Sequence, residues 1–325
     1  MPMNRKVYSL LFCTLSTFVI GQSNAQELFI KSEPASTMPR GVLGVRSFGE
    51  AYEEPGSYVR GMVGLTAMYG LHSKLTVSAT GTASNHHSKD LPVDFPKHNT
   101  PQIGVPLPWR FNGVTVSAKY RFISRESERS HFRMAAYAAG SLLNVAHDEA
   151  EPNLMDDTKG FGGGMIATWL KDHFAVSFTG GAILPSPYKG NVPDFYPGLP
   201  SVPAEVKYGQ AATYSLSFGY LLLPFRYQSY KQTNLNLYLE FLGKTYSKGT
   251  IYFDNIGSPG TAYEVTGSAE EVFAPHSYVE VHPGIQAIIR SNLRIDLAAG
   301  FPLIRKSYVH YYPLLTIGIQ RYFYR

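Results

Sequence analysis

Ten polar side chains occur in segments whose neighbouring positions are apolar. Arg46, Arg60, Lys119, Arg121 and Arg294 are cationic, Glu240, Glu280 and Asp296 acidic, and His282 and Gln286 hydrogen-bonding. FNGVTVSAKYRF (111–122) sets Thr115, Ser117, Lys119 and Arg121 against Val114, Val116, Ala118, Tyr120 and Phe122. NLNLYLEFLGK (234–244) sets Asn234, Asn236, Tyr238 and Glu240 against Leu235, Leu237, Leu239 and Phe241. Side chains on a strand alternate between faces, so the charged groups share one face with hydroxyls and amides. A turn at 290–292 with Ile289 opposite Leu293 would bring Gln286 beside Asp296. Such groups can line a pore and choose a solute by charge and hydrogen bonding. They can equally neutralise one another as an ion-pair network that fills a narrow interior. The cations outnumber the acids among them, so any ion preference leans towards anions.

Other chemistry is harder to support. SNHHSKDLPVDFPKHN carries His86, His87, Asp90 and His98, types that ligate zinc or nickel, but their spacing matches no firm site. A solvated loop is expected there, with no metal and no cofactor. A lipid hydrolase of the outer-membrane phospholipase A kind needs a His two residues before a Ser on one strand face. His86 and Ser88 have that spacing in a Pro-flanked loop, whereas His72-Ser73 and His276-Ser277 are adjacent and would point apart. A lipid-modifying hydrolase and a structural or adhesive surface barrel remain the alternatives to a channel.

The elements that must position these residues are strands. KLTVSATGTAS (74–84) alternates Leu75, Val77, Ala79, Gly81 and Ala83 with Thr76, Ser78, Thr80, Thr82 and Ser84. The same alternation recurs at 58–69, 111–122, 174–182, 211–222, 234–244 and 293–301, and less cleanly at 41–49, 131–145, 160–170, 277–289 and 312–324. Twelve strands follow. Their connections alternate between short ones and longer ones rich in Pro, Gly, Asp, Asn and His. Charged residues are 16 % of the chain, well below a soluble domain's usual share, and the polar faces carry Ser, Thr and Asn rather than Lys and Glu. A soluble sandwich would reverse that choice. The fold expected is all-β: a closed antiparallel transmembrane barrel of about twelve strands, with short periplasmic turns and longer extracellular loops. Tyr69, Tyr120, Phe122, Trp169, Phe174, Phe225 and Phe323, near the short turns, suit an interfacial girdle.

The N-terminus has a secretory pattern: Arg5-Lys6, the apolar run VYSLLFCTLSTFVIG, and small residues Ser23 and Ala25. Residues 1–25 are read as a signal peptide, 26–38 as a short periplasmic segment and 39–325 as the barrel. Cys13, the sole cysteine, lies in the signal, so neither a disulfide nor a cysteine-ligated metal is expected. Losing Arg5 and Lys6 reduces the formal charge from +5 to +3, too little to argue for nucleic acid. Residues 26–38 are too few for the plug domain of a TonB-dependent receptor.

The C-terminal LLTIGIQRYFYR resembles the terminal signal read by the barrel-assembly machinery, with Thr316, Gly318 and Phe323 in its slots; Arg321 stands where an aromatic is usual. MYGLHSKLTVSATG and YVEVHPGIQAIIRSNLRIDLAAGFPL resemble hairpins of transporter-like Gram-negative barrels of Bacteroidota type. These include the outer-membrane family named for the meta pathway of phenol degradation. The resemblance implies the outer membrane, contact with its lipid and lipopolysaccharide, and passage of a small, amphipathic or aromatic solute.

Overall fold

The computed structural model describes residues 29–54, 58–86, 108–143, 151–192, 202–225, 232–254, 262–264, 274–307 and 310–324. The expected signal peptide lies outside them, as do His87, Ser88, Asp90 and His98.

Sixteen strands are present among the described residues: β1 Leu43–Glu54, β2 Tyr58–His72, β3 Leu75–Ser84, β4 Arg110–Glu126, β5 Ser130–Leu143, β6 Gly160–Lys171, β7 Phe174–Pro185, β8 Tyr188–Val192, β9 Val202–Lys207, β10 Ala211–Leu223, β11 Asn234–Tyr246, β12 Thr250–Asp254, β13 Ala262–Glu264, β14 His276–Ile289, β15 Leu293–Ile304 and β16 Leu314–Phe323. Twelve close into an antiparallel barrel in the order β1-β16-β15-β14-β11-β10-β7-β6-β5-β4-β3-β2. Closure is complete because Leu43 of β1 lies opposite both Tyr69 of β2 and Phe323 of β16. A bilayer requires this, since an open edge would leave backbone groups unpaired in hydrocarbon.

Alternation places every one of the twelve barrel strands. It misses β8, β9, β12 and β13, which pair as a separate sheet built from the two long connections after β7 and β11. At three to six residues each, these strands are too short for alternation to register.

The two faces differ sharply. Val116, Leu216 and Leu237 are 47 %, 39 % and 43 % exposed, while Thr76, Ser217 and Gln286 are 6 %, 0 % and 0 %. Leu75, Val77 and Ile295 are half-buried and share the outward side with these apolar residues. Tyr120, Phe122, Trp169, Phe174, Phe225 and Phe323 are exposed near the periplasmic end, and Tyr69 is half-buried there. The β14–β15 turn places Arg290 and Ser291 at φ 51° and 55°, and Asn292 N donates to Ile289 O at 3.2 Å. Two left-handed residues in succession give a turn whose twist matches the flanking strands, and Asn292 completes a three-residue connection. The register that follows sets Ile289 opposite Leu293 and Gln286 opposite Asp296.

Among the described residues, small apolar clusters pack inside the barrel. Three of them centre on Phe29–Ile30–Ala175–Tyr238, Ala35–Ala135–Ile166 and Met38–Val42–Met68. Each contains part of residues 29–42. A twelve-stranded barrel encloses more space than wall side chains fill, and the chain's own N-terminal segment takes up part of it.

Candidate functional site: two segments across the lumen

Residues 26–28 lie outside the described residues; from Phe29 onward the segment expected in the periplasm runs inside the barrel. At one wall Glu240 of β11 receives three successive amides: Ile30 N and Lys31 N donate to Oε1 at 2.9 Å each, and Ser32 N to Oε2 at 2.8 Å. Ser32 Oγ donates to the same Oε2 at 2.7 Å. The carbonyls are held by cations: Arg294 Nη2 donates to Phe29 O at 2.5 Å and Arg46 Nη2 to Ile30 O at 2.7 Å. Lys31 Nζ reaches Glu50 at 2.5 Å. Further along, Lys119 Nζ donates to Glu33 at 2.6 Å and Pro34 O at 2.9 Å. Ala35 N donates to Thr168 Oγ1 at 2.9 Å, and Met38 N to Thr76 Oγ1 at 2.8 Å. In barrel order β14 stands six strands round from β4, and β11 six from β3. Residues 29–38 therefore bridge opposite walls.

Inward glycines make room for this segment. A Cβ on Gly284 would sit 2.6 Å from Ile30 Cδ1, and one on Gly44 3.1 Å from Met38 Cε.

The ten candidate residues separate into groups. Gln286 Nε2 and Arg294 Nε both donate to Asp296 Oδ1, at 2.7 and 2.8 Å, while Tyr238 OH donates to Gln286 Oε1 at 2.8 Å. Arg46 Nη2 stands 3.7 Å from Asp296 Oδ2. His282 Nε2 is 2.9 Å from Glu280 Oε2. Glu240, Arg46, Arg294 and Lys119 hold residues 29–34. Arg60 and Arg121 lie apart, near the two ends: Arg60 Nη1 donates to Asn85 O at 3.3 Å, and Arg121 Nη2 to Ser73 O at 3.1 Å. The arrangement is neither a bare lining nor a closed ion-pair network, because much of the wall's charge is spent on main-chain atoms of residues 29–34.

Nearer the extracellular end a second segment, residues 151–158, crosses the lumen. Its turn is tied internally, with Asp156, Asp157 and Thr158 N all donating to Asn153 O. One wall holds it through Thr82 Oγ1 to Met155 O at 2.6 Å, Thr115 Oγ1 to Leu154 O at 2.5 Å and Asn112 Nδ2 to Asp156 Oδ1 at 3.0 Å. His86 Nε2 is 2.7 Å from Asp156 Oδ2, so this histidine has a structural partner. Leu154 Cδ1 would lie 2.7 Å from a Cβ on Gly162. On the opposite wall three donors converge on one side chain, Glu151, which is 3 % exposed. Lys244 Nζ donates to Glu151 Oε1 at 2.8 Å, Tyr278 OH donates to the same oxygen, and Ser307 Oγ donates to Oε2 at 2.8 Å. Burial raises the Glu151 pKa, but Lys244 and the charge of His310, with the hydrogen bonds from Lys244 and Tyr278, outweigh it and hold the group ionised below the usual carboxylate range.

The connection after β15 joins this cluster. His310 Nδ1 is 2.9 Å from Glu280 Oε1, and Tyr312 OH donates to that oxygen at 2.5 Å. Burial opposes protonation of His310; the hydrogen bond to Glu280, with the charges of Glu280, Glu151 and Glu50, more than offsets it, so its pKa lies above the ordinary histidine value. Sequence reading missed Glu151, Lys244 and His310. The available signal was a cluster of acids, Glu151, Asp156 and Asp157, in a charge-poor chain.

Among the described residues some inward groups have no protein partner: both amide atoms of Gln320, the hydroxyls of Thr179, Ser215 and Thr316, and Nδ1 of His282. Among the described residues no cluster of His, Cys, Asp or Glu has metal-binding geometry.

No protein-family model and no curated protein matches the sequence. The structure is similar to an outer membrane channel from Pseudomonas putida F1, with TM-score 0.53 and 14 % identity over 91 % of this chain and 100 % of that one. The toluene transporter TbuX of Ralstonia pickettii aligns with TM-score 0.38 and 11 % identity, over 88 % of each chain. Outer membrane phospholipase A from Escherichia coli aligns with TM-score 0.34 and 9 % identity, over 87 % of this chain and 96 % of that one. The first likeness is one of fold, and the two lower-scoring ones carry no weight.

Proposed function

We propose that this chain is an outer-membrane channel or uptake barrel for a small amphipathic or aromatic solute, closed at rest by its own polypeptide. One observation carries the reading: the wall's buried charges hold a separate stretch of chain, chiefly by hydrogen bonds to its main-chain atoms. A barrel serving only as a scaffold needs no such insert, and when the segment leaves, water can replace it at each of these charged groups.

The interior suits a mixed solute. Hydroxyls, amides and the Tyr238 phenol offer weak, scattered contacts, and conduction requires binding loose enough to release. With residues 29–38 displaced, Arg46, Lys119 and Arg294 would face the lumen together with Glu240, Glu50 and Asp296, so groups of both signs would meet the solute. Likeness to an outer membrane channel agrees with the reading at the level of fold, as does the apolar outer wall with the outer membrane.

The test is permeation into liposomes carrying the refolded protein, comparing a phenolic solute with a sugar of similar size. A larger acceleration over protein-free liposomes for the phenolic solute than for the sugar supports the proposal. No entry of either solute through a chain begun at residue 39 and carrying Glu151→Gln would overturn it, and hydrolysis of the liposome lipid would transfer the case to the hydrolase alternative.

A further inference from the structure

The two crossing segments are held in different ways. Residues 29–38 are bonded along their length by both walls. Residues 151–158 are bonded to β3 and β4 by several groups, and on the far wall three donors converge on Glu151. Four residues of β11 separate Lys244, which binds Glu151, from Glu240, which binds residues 30–32. At the rise of a strand this is about 13 Å, so the two closures lie at separate depths.

We propose that residues 151–158 form an outer gate and that Glu151 is its clasp. Release of the carboxylate from Lys244, Tyr278 and Ser307 frees the gate from the far wall, while Thr82, Thr115 and Asn112 keep its turn on the near one. The lumen then opens to the extracellular side independently of the N-terminal segment. This rests on the channel reading and adds its order of events: a solute arriving from outside meets the Glu151 clasp first and residues 29–38 second.

The clasp is built to be released. One buried carboxylate accepts three donors from two strands and the connection after β15. Loss of Glu151 therefore removes all three bonds together, whereas loss of any one near-wall group leaves the others. Ser307, one of the three donors, lies on the connection that His310 and Tyr312 tie to Glu280, so the clasp depends on the seating of that connection.

The test uses a single reporter thiol. The chain's one cysteine is Cys13, so no cysteine beyond it competes with one introduced in the barrel. Ser215 of β10 faces inward and is buried. It lies between Thr213, opposite Lys244, and Ser217, whose hydroxyl is 2.7 Å from that of Ser32. A Ser215→Cys thiol therefore sits beneath the outer gate and above the inner segment. Intact cells expressing the full chain are treated with a charged, membrane-impermeant maleimide, and labelling is timed. In the Ser215→Cys background, Glu151→Gln and Lys244→Met should each speed labelling about tenfold, as expected for loss of charge-assisted hydrogen bonds. Ser307→Ala, which removes one bond, should give a smaller acceleration and serves if either variant fails to assemble. Rates within about twofold of the parent, in variants that still migrate as folded barrels, would overturn the clasp. Ion current across a planar bilayer separates this from the channel reading. Faster labelling, with no current even in a Glu151→Gln chain begun at residue 39, leaves the clasp standing and removes the channel. Current without any change in labelling does the reverse.

Discussion

The outer wall and the lumen of this barrel obey different rules. Outside, each position is set by its own solvent: Leu75, Val77 and Val116 face hydrocarbon. Inside, a residue's role depends on which distant piece of chain reaches it. Glu240 binds an amide 210 residues away and Glu151 a tyrosine 127 residues away. The outer wall is therefore a periodic property and the lumen a relational one. The outer wall should fail by solvation and the lumen by loss of partners.

Substitution across one strand breaks this comparison most directly. Val116→Arg, deep in the wall, places a cation in lipid and should cost about 2–4 kcal/mol, and Val77→Arg, level with Tyr69 near the interface, less. Thr76→Arg, one residue away, should leave the barrel folded and instead displace Met38, whose amide Thr76 accepts. A bilayer refolding titration should show the first defect, and protease cleavage within residues 29–38 the second. Equal refolding of Val116→Arg and Thr76→Arg would contradict the assigned faces.

Next in size is Glu240→Ala, which strips the acceptor from three amides and one hydroxyl. Leaving these groups unpaired should destabilise the seated segment by about 2–3 kcal/mol. Proteolytic clipping of residues 29–38 should rise while the barrel remains intact on a gel. A variant whose segment stays protected would show that Glu240 is not the main anchor.

pH should act on the outer closure by a smaller amount. His310 has a raised pKa, so its contribution is full below the ordinary histidine value and is lost as pH rises through the raised one. Glu151 has a lowered pKa, so its contribution is present above the ordinary carboxylate value and is lost as pH falls through the lowered one. Glu50, Glu280 and Tyr312 surround the same site. A tenfold difference in proton affinity between the closed and the open gate corresponds to about 1.4 kcal/mol. Ser215→Cys labelling, divided at each pH by the rate of a freely exposed reference thiol, should be slowest from weakly acid to neutral pH and rise on the alkaline side. A His310→Gln variant should lose the alkaline rise; its persistence would remove His310 from the closure.

The smallest effect expected is on ion selectivity. Lys119→Glu would set a carboxylate against Glu33 and loosen residues 33–34, while Arg121→Glu acts only near the periplasmic turn. Both should shift reversal potential towards cations, Lys119→Glu more. An equal shift from each would indicate that Lys119 acts as a bare charge in an open lining.

The barrel was readable from the sequence because period-two alternation is local: Thr76 and Val77 declare their faces through their neighbours. The Gln286–Asp296 pairing was equally accessible, since one turn determines it. What remained hidden was whatever needed a third partner. Phe29, Ile30 and Met38 carry no period, and the space that receives them shows only as inward glycines such as Gly44 and Gly284. Glu151 read as loop because its acceptor role depends on Lys244, Tyr278 and Ser307, three separate places in the chain.

The central claim is that the lumen is a passage shut by two independent pieces of its own chain. Ion current through residues 39–325, with and without Glu151→Gln, measured against the chain from residue 26 onward, tests it most directly. Removing residues 26–38 should raise the open fraction, Glu151→Gln should raise it again, and the two effects should multiply. Currents that remain at the level of the longer chain in both shortened proteins would contradict the account.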